Sequence, residues 1–204
     1  MALIKTEILE RKGEWREVLD ASRNTVSKKF LNKEPSEEFK KKLMICEHSP
    51  IRQLWFKWRW KDLPSYIATH FARHHIGVEK WISSQRNDRQ TKYDRNKAPQ
   101  DAPVSFVAEG NAQFFINMSK VRLCTCADPD TRKQAEDLKV ELNKIDSYVA
   151  GACVPSCIYR GGCPELANCG FYKKFLERHP EITVNTSIQE RYDIYNKEFY
   201  ETHQ

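Results

Sequence analysis

The run from Trp55 to Trp60 constrains the fold more than any other stretch of this chain. Phe56, Trp58 and Trp60 alternate there with Lys57 and Arg59. Successive side chains of a strand point to opposite faces, so a period of two places three large rings on one side and two cations on the other. The pattern predicts a half-buried sheet, with the strand running over Ile51–Trp60. Leu3–Leu9 reads as a further strand or a helix start, Lys80–Arg86 as a strand or extended loop, and Pro103–Val107 as a short strand. Residues 87–103 are polar and read as an irregular connection.

Helical signals lie between and after these strands. Trp15–Lys29 carries Val18, Leu19, Ala21 and Val26 as buried candidates. Ser36 caps a helix carrying Phe39, Leu43 and Met44, and Asp62 is placed to cap one with Pro64 in its first turn and Tyr66, Ile67 and Phe71 along it. Asn111–Leu123 reads as a buried helix. Asp128-Pro129 starts the next, on which Ala135, Leu138, Leu142 and Ile145 follow helical spacing. A last helix, Phe171–Arg178, precedes a polar, Tyr-rich tail. Strands mixed with helices in 204 residues indicate a single α/β domain.

Composition narrows the partners. The net charge of +6, from 34 Lys+Arg against 28 Asp+Glu, fits anionic ligands such as nucleotides and is too small to argue for duplex DNA. No apolar run approaches the ~18 residues of a membrane span, and the first ten residues lack a signal-peptide core, so the expectation is a soluble, cytoplasmic protein without a membrane partner. In a reducing compartment the seven cysteines favour metal binding over disulfides.

Three constellations carry chemistry. Thr69-His70-Phe71-Ala72-Arg73-His74-His75, followed by Ser83-Ser84-Gln85-Arg86, joins anion-binding and ring-stacking groups at a helix end; its plainer reading is a solvated basic terminus. Asn111, Phe115, Met118 and Arg122 share one stripe of a helix. A buried Arg122 needs an anion or a carboxylate, unless its guanidinium snorkels to solvent. Cys153, Cys157, Cys163 and Cys169 fall within seventeen residues with two glycines and two prolines between them. That spacing suits a loop wrapped on zinc or an iron–sulfur cluster; the alternative is a set of small buried hydrophobes. Cys124 and Cys126 lie close enough together to join them.

Taken together, these blocks resemble the flavin-dependent thymidylate synthase family. Its signature, Arg-His-Arg followed by Ser and an Arg two residues on, is matched by Arg73-His74-His75, Ser84 and Arg86. Upstream, His48-Ser49-Pro50 resembles the family's His-x-Ser-Pro turn. Downstream, Asn111-Ala112-Gln113 and Arg122 resemble its Asn-Ala-Arg helix. The chain is similar to a shortened subgroup that has an Arg-His-His signature and a four-cysteine segment. It departs from the wider family at His75, Gln113, Cys126 and Arg52-Gln53, and its connection between Ser84 and Asn111 is short, leaving Arg89 or Arg95 to stand in for a further nucleotide-binding Arg.

The resemblance implies an antiparallel sheet flanked by helices, over residues 1–150, with a Cys-rich extension and helical tail over residues 151–204 packed on the same domain. It implies a homotetramer binding FAD and dUMP where subunits meet, with NADPH and methylenetetrahydrofolate as co-substrates, and transfer of a one-carbon unit to C5 of the pyrimidine. In that frame Ser49, Arg73, His74, His75, Asn111 and Asn117 bind FAD. His70, Ser84, Gln85, Arg86 and Arg122 bind the nucleotide, Ser84 and Arg86 serving catalysis. Two alternatives stand beside it: C5-hydroxymethylation of a pyrimidine nucleotide, and a metal-stabilised nucleic-acid-binding module in which Trp55, Trp58, Trp60 and Trp81 stack bases.

Overall fold

The computed structural model describes residues 4–89 and 94–203. Leu3, placed above in the first strand or helix, lies outside them. Four antiparallel strands form one sheet in the order β1-β2-β4-β3: β1 Thr6–Lys12, β2 Trp55–Pro64, β3 Val78–Ile82 and β4 Pro103–Asn111.

The alternation in β2 does what its period dictates. Phe56, Trp58 and Trp60 are buried, and their partners on β4 are Gly110, Ala108 and Phe106. Small residues opposite the first two rings leave room for a helix to press down; a Cβ on Gly110 would come within 2.6 Å of the Phe114 ring. That helix is α4 (Ala112–Arg122), whose Phe114 stacks on Trp58 at 5.6 Å and whose Phe115 lies 5.2 Å from the same indole. On the opposite face Arg59 pairs with Glu7 of β1. Trp58 and Trp60 therefore belong to the core and are not available to stack bases.

Helices α1 (Trp15–Asn24) and α2 (Glu37–Cys46) precede a 3-10 turn, Ser49–Gln53, that leads into β2. The strand thus starts later than the hydrophobic run at Ile51 suggests, because Pro50 initiates a helical turn. Val26 lies beyond the end of α1 and is exposed. Asp62 does not cap a helix. It takes a left-handed backbone (φ 55°) where the β2–β4 register slips between Trp60 and Leu63. The strand continues to Pro64, and α3 (Ser65–Ala72) begins one residue later. The extra residue of a bulge explains how a polar Asp sits inside a strand without joining its ladder.

After α5 (Pro129–Ile145), capped by Asp128, come α6 (Ser147–Gly151), α7 (Ser156–Arg160) and α8 (Phe171–Arg178). Ile145 is exposed at the end of α5. The Tyr-rich tail is a fifteen-residue helix, α9 (Ile188–Thr202), which buries Tyr192, Tyr195 and Phe199 against the same core as the sheet's rings. Among the described residues no helix is long and apolar enough to cross a membrane.

Candidate functional site

The end of α3 meets the end of α4 at a cluster of cations. Arg122 leaves the last turn of α4, donates from Nε to His74 Nε2 at 2.9 Å, and donates from Nη2 to the His70 carbonyl at 2.8 Å. An imidazole nitrogen that accepts this bond is unprotonated, so His74 is held neutral with its proton on Nδ1. Burial, then the charges of Arg122 and Lys80, push its pKa down to about 4. Lys80 of β3 donates to the carbonyls of Ala72 and His74, and its pKa too is lowered by burial. Arg122 therefore meets neutral acceptors, where sequence reasoning expects an anion or a carboxylate. Among the described residues neither Arg122, Lys80 nor the exposed Arg73 forms an ion pair. The cluster keeps its positive charge, a setting that favours an anionic ligand.

His70 points away from this cluster, with Nδ1 2.6 Å from Thr131 Oγ1 at the start of α5. His75 is exposed and its Nδ1 lies 3.1 Å from the Arg73 carbonyl. Thr131 was not legible as a site neighbour, because no local spacing joins it to position 70.

Ile76 and Gly77 run from the cluster into a cleft of about 500 Å³, lined also by Glu47, Arg52, Asn111, Gln113 and Asn117. Asn111 precedes α4 and caps it, its Oδ1 accepting from the Phe114 N–H at 3.0 Å, while its own N–H donates to the Gly77 carbonyl at 2.9 Å. Gly77 has φ +75°, and a Cβ there would stand 2.8 Å from Asn111 Oδ1. Across the cleft Gln113 donates to Glu47 at 2.6 Å and to Asn117 at 3.3 Å, and Lys120 donates to the other Glu47 oxygen. Glu47 and Lys120 were missed by the sequence reading. The signal was the change of Arg to Gln113, which replaces a charge that Lys120 supplies from two helical turns on. Ser49 is exposed at the head of the 3-10 turn and is not among the residues lining this cleft.

The segment after β3 presents the remaining candidates. Ser84 accepts from the Arg86 N–H at 3.2 Å, and the Arg86 guanidinium is held by Asp88 in a two-pronged ion pair at 2.6 and 2.9 Å. Gln85 turns inward instead. Among the described residues its Nε2 is buried without a partner, beside a 280 Å³ pocket shared with Ser65, Thr69, Ser83 and Arg95. A buried amide donor without a bond costs stability unless something fills the pocket and accepts from it. Arg95 lines this pocket, whereas Arg89 is exposed beside Asp88.

The four cysteines of the sequence pattern do not converge. Cys153 lies in the core, where its thiol donates to the Val149 carbonyl at 3.3 Å and its carbonyl accepts from the buried Lys139 at 2.7 Å. Cys157 is buried on α7, while Cys163 and Cys169 follow on the connection to α8. Among the described residues no three His, Cys, Asp or Glu side chains are already set around a common point.

No family model and no curated protein matches the chain. Solved structures do. Thymidylate synthase X (ThyX) from Helicobacter pylori, solved with FAD and dUMP, superposes with a TM-score of 0.61 at 13% identity, over 74% of this chain and 99% of that one. The chain has the ThyX fold. A UMP/dUMP methylase, PolB, from Streptomyces cacaoi, bound with 5-Br dUMP, matches with a TM-score of 0.60 at 13% identity, over 74% of this chain and 94% of that one. A second Helicobacter pylori ThyX complex with FAD and dUMP gives 0.60 at 12% identity, over 74% and 100% of the two chains. A quarter of this chain therefore extends beyond the shared ThyX scaffold.

Proposed function

We propose that this protein is a flavin-dependent, thymidylate-synthase-like enzyme that binds FAD and a pyrimidine nucleotide, with dUMP as the nucleotide and methylenetetrahydrofolate as the one-carbon donor. The observation that carries the reading is the un-neutralised cluster of Arg73, Lys80 and Arg122 around a neutral His74, next to a cleft that Gly77 keeps open. It stands on a fold whose solved examples bind FAD and dUMP.

The residues present fit the two ligands. Asn111 and Asn117 offer amide donors to the cleft while Gly77 lets a flat ligand approach the backbone, and the cations at its edge suit a diphosphate. Gln85, with its unpaired buried amide, and Arg95 suit the nucleotide. Ser84 offers a hydroxyl near the pyrimidine, and Arg86 can exchange its exposed Asp88 partner for a phosphate at little cost, since solvent-exposed ion pairs contribute little. FAD would supply hydride storage between NADPH and the one-carbon unit. The chain's own groups bind, orient and neutralise charge. Arg122 fixes the His74 tautomer, with Nε2 accepting from the guanidinium and the proton on Nδ1. Ile76, Trp81 and Ile82 stand exposed on β3 and the turn before it, which supports a homotetramer that covers them where subunits meet.

The test is the visible spectrum of the purified chain, from 300 to 700 nm, before and after addition of FAD and then dUMP. A flavin band that dUMP perturbs, and dTMP formed with NADPH and methylenetetrahydrofolate, is the expected result. A product heavier than dTMP by one oxygen would move the assignment to hydroxymethylation. A chain that stays colourless in excess FAD would remove the proposal.

His74 makes a second expectation. Its folded pKa, about 4, lies below the ordinary 6.5. The unfolded chain therefore takes up this proton first as pH falls, and the group's contribution to stability is present above 6.5 and is lost between 6.5 and 4. Denaturant melts of wild type and His74→Gln across that window should differ in slope, with the variant flatter. Parallel curves would mean that His74 titrates normally in the folded state.

A further inference from the structure

Outside the nucleotide site, the fold gathers cysteines that the sequence pattern separates. Cys124 and Cys126 lie in the turn between α4 and α5, and α4 packs against α7, which carries Cys157. The connection from α7 to α8, with Cys163 and Cys169, folds back over that turn: Cys126 Sγ lies 3.7 Å from the Ala167 carbonyl, and Cys126 and Cys169 are neighbours. The Cys126 N–H donates to Cys124 Sγ at 3.4 Å. Cys124 and Cys163 are in turn the thiols near Cys157. Five of the seven cysteines thus face one patch, drawn from two segments about thirty residues apart. Cys46 is exposed on α2, and Cys153 is committed to the core.

We propose that the α4–α5 turn and the α7–α8 connection together hold one thiophilic metal centre, with Cys126 and Cys169 as ligands from the two segments, Cys124 beside them, Cys157 or Cys163 completing a four-sulfur shell, and Cys153 outside it. Nothing in this proposal depends on the nucleotide chemistry. The ligand set differs from the one that spacing suggests, because spacing cannot see that Cys153 is turned into the core.

A thiol must lose its proton to bind a metal, so a bound ion would displace the thiol protons and draw together the sulfurs that the two segments bring to one patch. It would also fasten a connection that has little packing of its own: Leu166 is fully exposed, and Gly161 and Gly170 take left-handed backbones at its two ends. Four thiolates around one ion leave no open position, so the centre serves the fold and its stability, as closed zinc sites do.

The test uses the full chain purified without chelators. Elemental analysis should find bound zinc, or iron with acid-labile sulfide, and either result supports the four-sulfur site while telling the two apart. Cys126→Ser and Cys169→Ser should each lose the metal, and Cys153→Ala should keep it. Cobalt added to the demetallated wild type should give intense thiolate-to-metal absorption, a readout that needs no variant to fold and is separate from flavin binding. Three outcomes would overturn the proposal: no metal together with no cobalt band, a Cys126–Cys169 disulfide in protein prepared and alkylated without air, or metal that survives Cys126→Ser but not Cys153→Ala.

Discussion

Replacing Arg122 with alanine is expected to weaken dUMP binding by ~30-fold or more, and it is the largest functional loss that a single side chain should cause here. Truncating one partner of a buried, hydrogen-bonded charge costs about 2–5 kcal/mol, which spans ~30-fold to several thousandfold in affinity. Arg122 is placed for that role. It is half-buried at the end of α4, has no carboxylate partner among the described residues, and spends two of its donors on His74 and the His70 carbonyl. A guanidinium has five N–H donors, so others remain for a phosphate. Calorimetric titration of dUMP into FAD-loaded protein reads the loss. Arg122→Lys should recover only part of it, because an ammonium cannot hold His74, the backbone and a phosphate in one plane. The His74 pKa, followed by NMR, should rise in Arg122→Ala as a positive neighbour disappears. If dUMP affinity survives and only the melting temperature falls, Arg122 is a tie between α3 and α4, and the phosphate site lies elsewhere.

The sequence carried the sheet's central strand because a period of two survives any tertiary context that has one wet face. It carried α5 because Asp128 caps it through a local bond to the Thr131 N–H, whereas Asn111, read as part of α4, ends β4 and caps that helix through the Phe114 N–H. It misread Asp62, since a bulge and a helix cap both call for a small polar residue, and only the register with β4 separates them. The tail was legible in principle. Ser187 and Glu190 make a reciprocal capping box, and Tyr192, Tyr195 and Phe199 fall at helical spacing after it. Tyrosines read as polar in a linear pass, whereas in α9 their rings fill the core. Two histidines of the basic segment at the end of α3 also divide for reasons that spacing hides. His70 and His74 lie one turn apart, yet the first bonds Thr131 of α5 and the second Arg122 of α4. Cys153 shows the opposite limit. Its sequence neighbours suit a metal loop, and its burial beside Lys139 is decided by packing between α5 and α9, the latter far from it in the chain.

Gly77→Ala is expected to cost about 1–3 kcal/mol of stability through backbone strain alone and to lower FAD affinity more than tenfold. Gly77 has φ +75°, a left-handed conformation that a Cβ makes costly. The added methyl would stand 2.8 Å from Asn111 Oδ1 and 2.9 Å from Nδ2, closer than real Cβ contacts allow. Either the Gly77 turn or the Asn111 side chain has to move. If Asn111 moves, α4 loses its cap on the Phe114 N–H, worth about 0.5–2 kcal/mol, and the cleft loses a donor from its wall. If the turn moves, the bond from the Asn111 N–H to the Gly77 carbonyl stretches, and Ile76 shifts with the cationic segment that begins at Arg73. Both routes reach the cleft proposed for the flavin, so FAD affinity should fall along with the melting temperature. Asn111→Ala separates the two effects. It removes the clash partner and the cap together, so the double variant Gly77→Ala/Asn111→Ala should be more stable than the sum of the single losses predicts. Strict additivity in that cycle would mean that the methyl strains only its own backbone and that Gly77 and Asn111 shape the cleft independently.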